Sequence, residues 1–144
     1  MQTPPPRRVV FIDTQGWAEI FHGPALHHVQ AADFLRQAQA HARELVISNV
    51  ILSELVPLLH SRTFRLPQLQ ILTIIAHIRA LPTLTVAYVD PALDQQAWAL
   101  LAANPQDFWS HVDATSMVLI RQLGITEVLT ADQHSTQAGF TILL

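Results

Sequence analysis

The sequence predicts an α/β fold: a three-layer α/β/α sandwich around a central, mostly parallel sheet. Two observations support this prediction. Short apolar runs rich in β-branched residues, typical of strands buried on both faces, alternate with longer segments of helical periodicity. Strands and helices that alternate along a chain form a parallel sheet with helices on both faces. The length of 144 residues, without an internal repeat or linker, suits one domain.

The predicted elements follow one another with short connections. The strands are expected over residues 9–12, 45–48, 84–89, 127–130 and 141–144. The helices are expected over residues 16–21, 28–43, 49–61, 67–81, 92–103 and 112–123. Asn49 suits the N-cap of the third helix, and Gly124 is a stop signal after the sixth. Pro57 lacks an N–H for the third helix and is expected to bend it.

The composition excludes several classes of protein. All eight cationic side chains are arginines, and a phosphate-binding loop of the GxxxxGK[ST] type requires a lysine. No cysteine is present, so disulfides, thiolate metal sites and cysteine nucleophiles are excluded. No run approaches the roughly 20 apolar residues that cross a bilayer, so we expect no membrane partner and a cytoplasmic location. Only 13% of residues are charged, about half the usual ~25%, which suggests a surface covered by a partner.

Four acidic residues are predicted to meet at one edge of the sheet. Asp13 follows the first strand, and Glu54 lies just over one turn into the helix after the second strand. Asp113 lies at the start of the helix that leads to the fourth strand, and Asp132 follows that strand. The carboxyl ends of parallel strands lie along one edge, where ligands bind. The four carboxylates are therefore expected to converge.

Converging carboxylates repel one another and stay ionised only if cations share the site. Hard oxygen ligands favour Mg²⁺ or Mn²⁺. Such ions polarise a phosphate, activate a water molecule and stabilise the leaving oxygen. The quartet therefore predicts metal-dependent hydrolysis of phosphodiester bonds, with the same four acids as metal ligands and catalytic residues.

Each acid also has a purely structural interpretation. Asp13 suits a turn or helix cap, and Ser110 with Asp113 forms an S-x-x-D capping box. Asp132 suits the cap of a short helix. Glu54 fits such an interpretation less well, because it borders the apolar arc of its helix, where an unpartnered charge is costly. The set of four is more informative than any one member.

With these residues in place, the chain resembles the PIN domain family, in particular the VapC-like toxins of bacterial toxin–antitoxin systems. The motifs that carry the resemblance are VVFIDTQGWAEI, VISNVILSEL, DFWSHVDATSMVLIRQLGI and EVLTADQHSTQAGFTIL. The acids of the family pattern fall on the same four residues. Supporting polar positions fall on Thr14, Asn49, Ser110 and Ser116. The resemblance covers residues 9–144, which we expect to be one PIN-like domain after a flexible segment of residues 1–8.

The resemblance implies an endoribonuclease with Mg²⁺ or Mn²⁺ at the acidic site. It further implies a homodimer and inhibition by a small cognate antitoxin. The chain departs from the family pattern at Gln133, which replaces a usual basic residue next to the fourth acid. RNA contacts are expected from Arg62 and Arg65, in the loop HSRTFRLP, and from His134. A solvated loop is an equally good interpretation of that segment.

The helix predicted over residues 67–81 carries apolar residues round most of its circumference, more than one core-facing stripe requires. This pattern indicates either a dimer or antitoxin interface or deep burial in the monomer. The alternative to a ribonuclease is a non-catalytic RNA-binding or protein-interaction domain that retains the fold. The intact quartet of acids argues against that alternative.

Overall fold

The computed structural model describes residues 8–130 and 141–142, the last two by backbone alone. The strands are β1 (Val10–Ile12), β2 (Leu45–Ser48), β3 (Leu84–Ala87), β4 (Glu127–Leu129) and β5 (Thr141–Ile142). The helices are α1 (Thr14–Phe21), α2 (His28–Ala40), α3 (Asn49–His60), α4 (Gln68–Arg79), α5 (Pro91–Ala103) and α6 (His111–Leu123). This order confirms the predicted succession of elements. Within the described residues, no helix is long and apolar enough to cross a membrane.

All strand pairs of the sheet are parallel, and the strand order is β3-β2-β1-β4-β5. From β1 the chain moves outward through β2 to β3, and it then returns to add β4 on the other side of β1. Right-handed crossovers therefore place α1 to α4 on one face of the sheet and α5 with α6 on the other. The direction reverses between β1 and β4. In open parallel sheets, this switch point opens the crevice that binds ligands.

The first turn of α1 lies against the end of β4. A Cβ atom built on Gly16 would lie 2.3 Å from the backbone oxygen of Leu129 and 2.9 Å from a methyl carbon of Ile12. Only a residue without a side chain fits this approach. Next to it, Phe11 and Trp17 are fully buried in the core between sheet and helices. The start of α1 is thus fixed at the switch point.

Several predicted boundaries were wrong by a few residues, for local reasons. α2 ends at Ala40, before the predicted residue 43, because Ala42 adopts a left-handed backbone conformation with φ of 50°. α5 begins one residue early because Pro91 takes its first position, which needs no N–H donor. α3 is assigned as one helix through Pro57.

The N-cap predicted for α3 was also wrong. The cap is Ser48, whose hydroxyl accepts a hydrogen bond from the backbone N–H of Ile51 at 3.1 Å. Asn49 instead faces the neighbouring strand connection: its side-chain oxygen accepts a hydrogen bond from the backbone N–H of Val89 at 2.8 Å. Asn49 therefore ties the carboxyl end of β2 to the segment after β3.

Candidate active site

Asp13 lies directly after β1, at the switch point of the sheet. One of its carboxylate oxygens accepts a hydrogen bond from the backbone N–H of Gly16 at 2.8 Å, so Asp13 is the N-cap of α1. The other oxygen accepts a hydrogen bond from the hydroxyl of Thr130, the residue that follows β4. Asp13 therefore joins the ends of the two strands between which the chain reverses direction. The structural interpretation of Asp13 is correct, and it places the carboxylate where ligands bind.

Glu54 is half-buried in α3 and interacts with the two neighbouring elements of the site. Burial raises the pKa of its carboxyl group, and the charge of Asp113 raises it further. A hydrogen bond from the side chain of Thr14, next to Asp13, acts in the opposite direction. Thr14 of α1 thus contacts Glu54 of α3, and Asp113 of α6 lies near enough to act on the same carboxyl group by its charge.

Asp113 is held by the capping box predicted for the start of α6. The Ser110 hydroxyl accepts a hydrogen bond from the Asp113 N–H at 3.0 Å, and the Asp113 carboxylate accepts one from the Ser110 N–H at 2.9 Å. This reciprocal pair fixes the carboxylate at the helix N-terminus. Ser116 lies one turn further along α6 and is buried.

Asp132 and His134 lie outside the described residues, so their predicted roles remain predictions. Within residues 8–130, no three His, Asp or Glu side chains form a group that could hold a metal ion. Glu54 and Asp113 interact, whereas Asp13 is linked to them through its neighbour Thr14. The described part of the chain therefore brings together two of the predicted ligands and places the third beside them.

The chemistry of these side chains fits a divalent cation. The charge of Asp113 disfavours the ionised form of Glu54, and no ion pair with Arg or His involves either residue within the part of the chain that the structure describes. A bound cation would offset both the repulsion and the cost of burying the charge. The donors are carboxylate oxygens, which suit a hard ion such as Mg²⁺ or Mn²⁺.

Two features of the site were missed from the sequence. Thr130 was interpreted only as the last residue of a strand, yet its buried hydroxyl contacts Asp13. Thr130 lies at the end of a strand that pairs with β1, and this position could have indicated a contact with Asp13. Phe108, two residues before the capping serine of α6, is 93% exposed. Its signal was an aromatic residue in a short polar connection.

His111, which lies two positions from Asp113, packs against α5. Its ring stacks on that of Trp98 with centroids 4.2 Å apart. Its Nε2 atom lies 2.8 Å from a carboxylate oxygen of Asp94, within ion-pair distance, although the ring N–H is not aligned for a hydrogen bond. These contacts hold the start of α6, and with it the capping box of Asp113, against α5.

The apolar surface predicted for α4 is present. Ile71, Ile74 and Ile78 are buried against the core, whereas Leu69 is 79% exposed and Leu72 is 50% exposed. Deep burial of the whole helix in the monomer, one of the two interpretations of the sequence, is therefore wrong.

Comparison with known proteins agrees with this geometry. The model of the PIN domain family matches residues 10–140. The chain belongs to the PIN domain family. Relatives of this PIN domain include the 23S rRNA-specific endonuclease VapC20 from two strains of Mycobacterium tuberculosis. Each is 29% identical over 132 residues, which cover 92% of this chain and 95% of the relative.

A solved structure supports the same relation. The crystal structure of Mycobacterium tuberculosis VapC20, described as a sarcin-ricin loop cleaving toxin, matches with a TM-score of 0.77 and 28% identity. The match covers 92% of this chain and 96% of that one. The predicted family and fold class are confirmed, and the sheet is parallel throughout the described residues.

Proposed function

We propose that this PIN domain is a metal-dependent endoribonuclease and the toxin of a toxin–antitoxin pair. One observation carries the proposal: Glu54 and Asp113, on different helices, interact at the carboxyl edge of the sheet with no cationic side chain paired to either in residues 8–130. A purely structural pair of acids would gain stability from an arginine at this point. A non-catalytic domain would have no need for two neighbouring carboxylates that repel each other.

Asp13, Glu54 and Asp113, together with Asp132, would hold Mg²⁺ or Mn²⁺. When bound, such an ion polarises the scissile phosphate and lowers the pKa of water. The protein supplies rigid ligands. Thr130 and the first turn of α1 orient the Asp13 carboxylate, and the Ser110 capping box orients that of Asp113. Preorganisation of this kind lowers the cost of reaching the transition state.

The substrate that we propose is a loop of structured RNA. The M. tuberculosis relative VapC20 is named as specific for 23S rRNA, and its structure is described as that of a toxin that cleaves the sarcin-ricin loop. Phe108 precedes the capping serine of α6 by two residues and is exposed, and an exposed aromatic ring suits the unstacked bases of a loop. A sarcin-ricin stem-loop oligonucleotide is therefore the first substrate to test.

The experiment compares the parent protein with Asp13→Asn on a panel of RNA oligonucleotides that includes this stem-loop, with Mg²⁺, with Mn²⁺ and with EDTA. Removing one charge that holds the cation should lower kcat by at least about a hundredfold. Asp33→Asn, which changes an exposed acid of α2, is the matched control and should cleave like the parent. Undiminished cleavage by Asp13→Asn would contradict the proposal.

Two partners complete the proposal. The exposed leucines of α4 would be covered by a second copy of the chain or by a small antitoxin encoded next to it. The antitoxin would present an arginine or lysine to the acidic site and so compete with the metal. Expression of the chain alone in the cytoplasm of bacterial cells should slow their growth. Co-expression of the neighbouring small protein should restore growth. Unchanged growth in both cases would contradict the toxin role but leave the nuclease intact.

A further inference from the structure

The connection between α3 and α4, residues 60–67, forms a cationic pocket away from the acidic site. His60, Arg62, Arg65, Leu66 and Pro67 line a cavity of about 480 Å³. None of the lining side chains is acidic, and both arginines are exposed. A pocket with two guanidinium groups and no carboxylate attracts anions.

The two arginines of the pocket differ from others that the structure describes. Arg36 forms an ion pair with Asp33, and Arg43 forms one with Glu127. Arg62 and Arg65 form no ion pair with an acid of residues 8–130. In a chain with a net charge of −3, this loop brings two such arginines within four residues of one another. Their charge is available to an anionic ligand.

The backbone of the pocket is held in place by hydrogen bonds. The N–H of Arg65 donates to the carbonyl oxygen of Ser61 at 2.8 Å, and that of Leu66 donates to Leu59 at 2.9 Å. The Arg65 side chain donates to the carbonyl oxygen of Arg62 at 3.0 Å. Arg65 itself has φ of 56°, the left-handed conformation that a residue with a side chain rarely adopts. The loop is therefore a fixed turn that presents its arginines from a strained backbone.

The pocket is joined to the acidic site by α3. His60 follows Glu54 by six positions, which corresponds to about 9 Å along a helix axis. A nucleic-acid strand of a few nucleotides spans this distance, since even a stacked strand of B-form DNA advances about 3.4 Å per nucleotide. The spacing allows one RNA molecule to occupy both places.

We propose that the pocket formed by His60, Arg62 and Arg65 binds a backbone phosphate of the substrate RNA, a few nucleotides from the cleaved bond. The inference rests on the proposed ribonuclease function and adds to it a second point of attachment. The acidic site repels phosphates unless metal is bound. The pocket supplies a metal-independent attraction that anchors the strand.

The test compares three proteins: the parent, the double variant Arg62→Gln/Arg65→Gln, and the control Arg121→Gln. Arg121 is exposed in the last turn of α6, about 12 Å along the helix from Asp113, and the control removes one exposed arginine charge away from the pocket. Steady-state cleavage of the RNA found in the panel above gives kcat and KM. The double variant should raise KM roughly tenfold with kcat unchanged, and the control should match the parent.

Binding measured without cleavage separates the pocket from general charge effects. Each arginine change is placed in the Asp13→Asn background, and the affinity for a labelled single-stranded RNA of about 12 nucleotides is followed as salt is raised. Loss of the one phosphate contact should reduce the slope of log affinity against log salt by about 0.7. Thermal unfolding of each protein checks that the fold is retained.

Three results would overturn the inference. The first is a double variant whose KM and salt slope equal those of Arg121→Gln. The second is a fall in kcat without a change in KM, which would show that the loop acts on the geometry of the acidic site. The third is loss of a co-purifying antitoxin with RNA affinity unchanged, which would make the pocket a protein-docking site. If the parent cleaves no RNA of the panel, the proposed function fails first and the inference fails with it.

Discussion

The acidic side chains at the two ends of the parallel sheet have different partners. At the amino end, Glu127 of β4 forms an ion pair with Arg43, which precedes β2. The same guanidinium group lies 5.5 Å from the centre of the Phe34 ring. At the carboxyl end, Glu54 and Asp113 interact with each other, and burial raises the pKa of Glu54.

This difference separates an acid whose charge is compensated by an arginine from acids whose charge no arginine compensates within the described residues. The Arg43–Glu127 pair is mostly buried, with 21% and 27% of the side chains exposed, and each charge compensates the other. At the opposite end, neutral groups such as Thr14 and the Ser110 backbone supply the hydrogen bonds, and they leave the charge uncompensated. A metal ion would supply the missing positive charge.

The largest expected effect on stability concerns the glycine that fixes the carboxyl end. Gly16→Ala places a methyl group 2.3 Å from a backbone oxygen of β4, so α1 must shift. We expect the free energy of unfolding to fall by about 1 to 3 kcal/mol and cleavage to fall with it, because Asp13 caps the displaced helix. Gly23→Ala is the matched control, since no atom lies within 4 Å of a Cβ at that position. Equal unfolding curves for the two variants would show that this end of the sheet is not held by close packing.

A smaller effect is expected at the amino end. Glu127→Gln leaves the Arg43 guanidinium mostly buried beside a neutral amide, so the free energy of unfolding should fall by about 1 kcal/mol. Cleavage at saturating metal should not change, because this pair lies at the edge of the sheet away from the site. Denaturant unfolding measures the expected loss of stability, and a cleavage assay measures the expected unchanged activity. A stable protein with reduced cleavage would contradict the division between the ends.

The smallest effect has the opposite sign and appears at the carboxyl end. Because the pKa of Glu54 is raised on folding, the folded protein holds this proton more tightly than the unfolded chain does. The resulting stability is present below the ordinary pKa of 4.5 and is lost as pH rises through the higher folded value. Ionised Glu54 therefore destabilises the metal-free protein at neutral pH.

It follows that Glu54→Gln should melt at a higher temperature than the parent at neutral pH without metal. The difference should shrink as pH falls towards 4.5, where the parent carboxyl group takes up its proton. The difference is measured from the melting temperatures of the two proteins between neutral pH and pH 4.5, with the exposed-site variant Asp33→Asn as the control. A parent that is more stable than Glu54→Gln at neutral pH would show that the glutamate is a structural residue.

The periodicity of the sequence was enough to predict the order of strands and helices, since it depends on which residues are buried. Boundaries depended on local hydrogen bonds that periodicity does not report. The cap of α3 was assigned to Asn49 because Asn is a good capping residue, but Ser48 is equally suitable and lies one position closer. The oxygen of Asn49 instead binds the segment after β3, a contact across the sheet that no local pattern contains.

The sequence was enough to place the acids at the edge of the sheet, because the ends of the strands determine that position. It was not enough to predict which side chains contact one another. Asp13, Glu54 and Asp113 were placed at one edge by the rule for parallel sheets. The contact of Thr130 with Asp13 depends on the pairing of β4 with β1, two strands far apart in the sequence. The pocket at Arg62 and Arg65 depends on a left-handed turn that an arginine rarely adopts.

The central claim is that the acids at the carboxyl end of the sheet hold a cation, and titration calorimetry of the metal-free protein with Mn²⁺ tests it most directly. We expect the parent to bind Mn²⁺, Asp33→Asn to bind with the same affinity, and Asp113→Asn to bind at least about tenfold more weakly. Mg²⁺ should compete for the same site. A parent that binds neither ion, or an Asp113→Asn protein that binds Mn²⁺ as tightly as the parent, would contradict the claim.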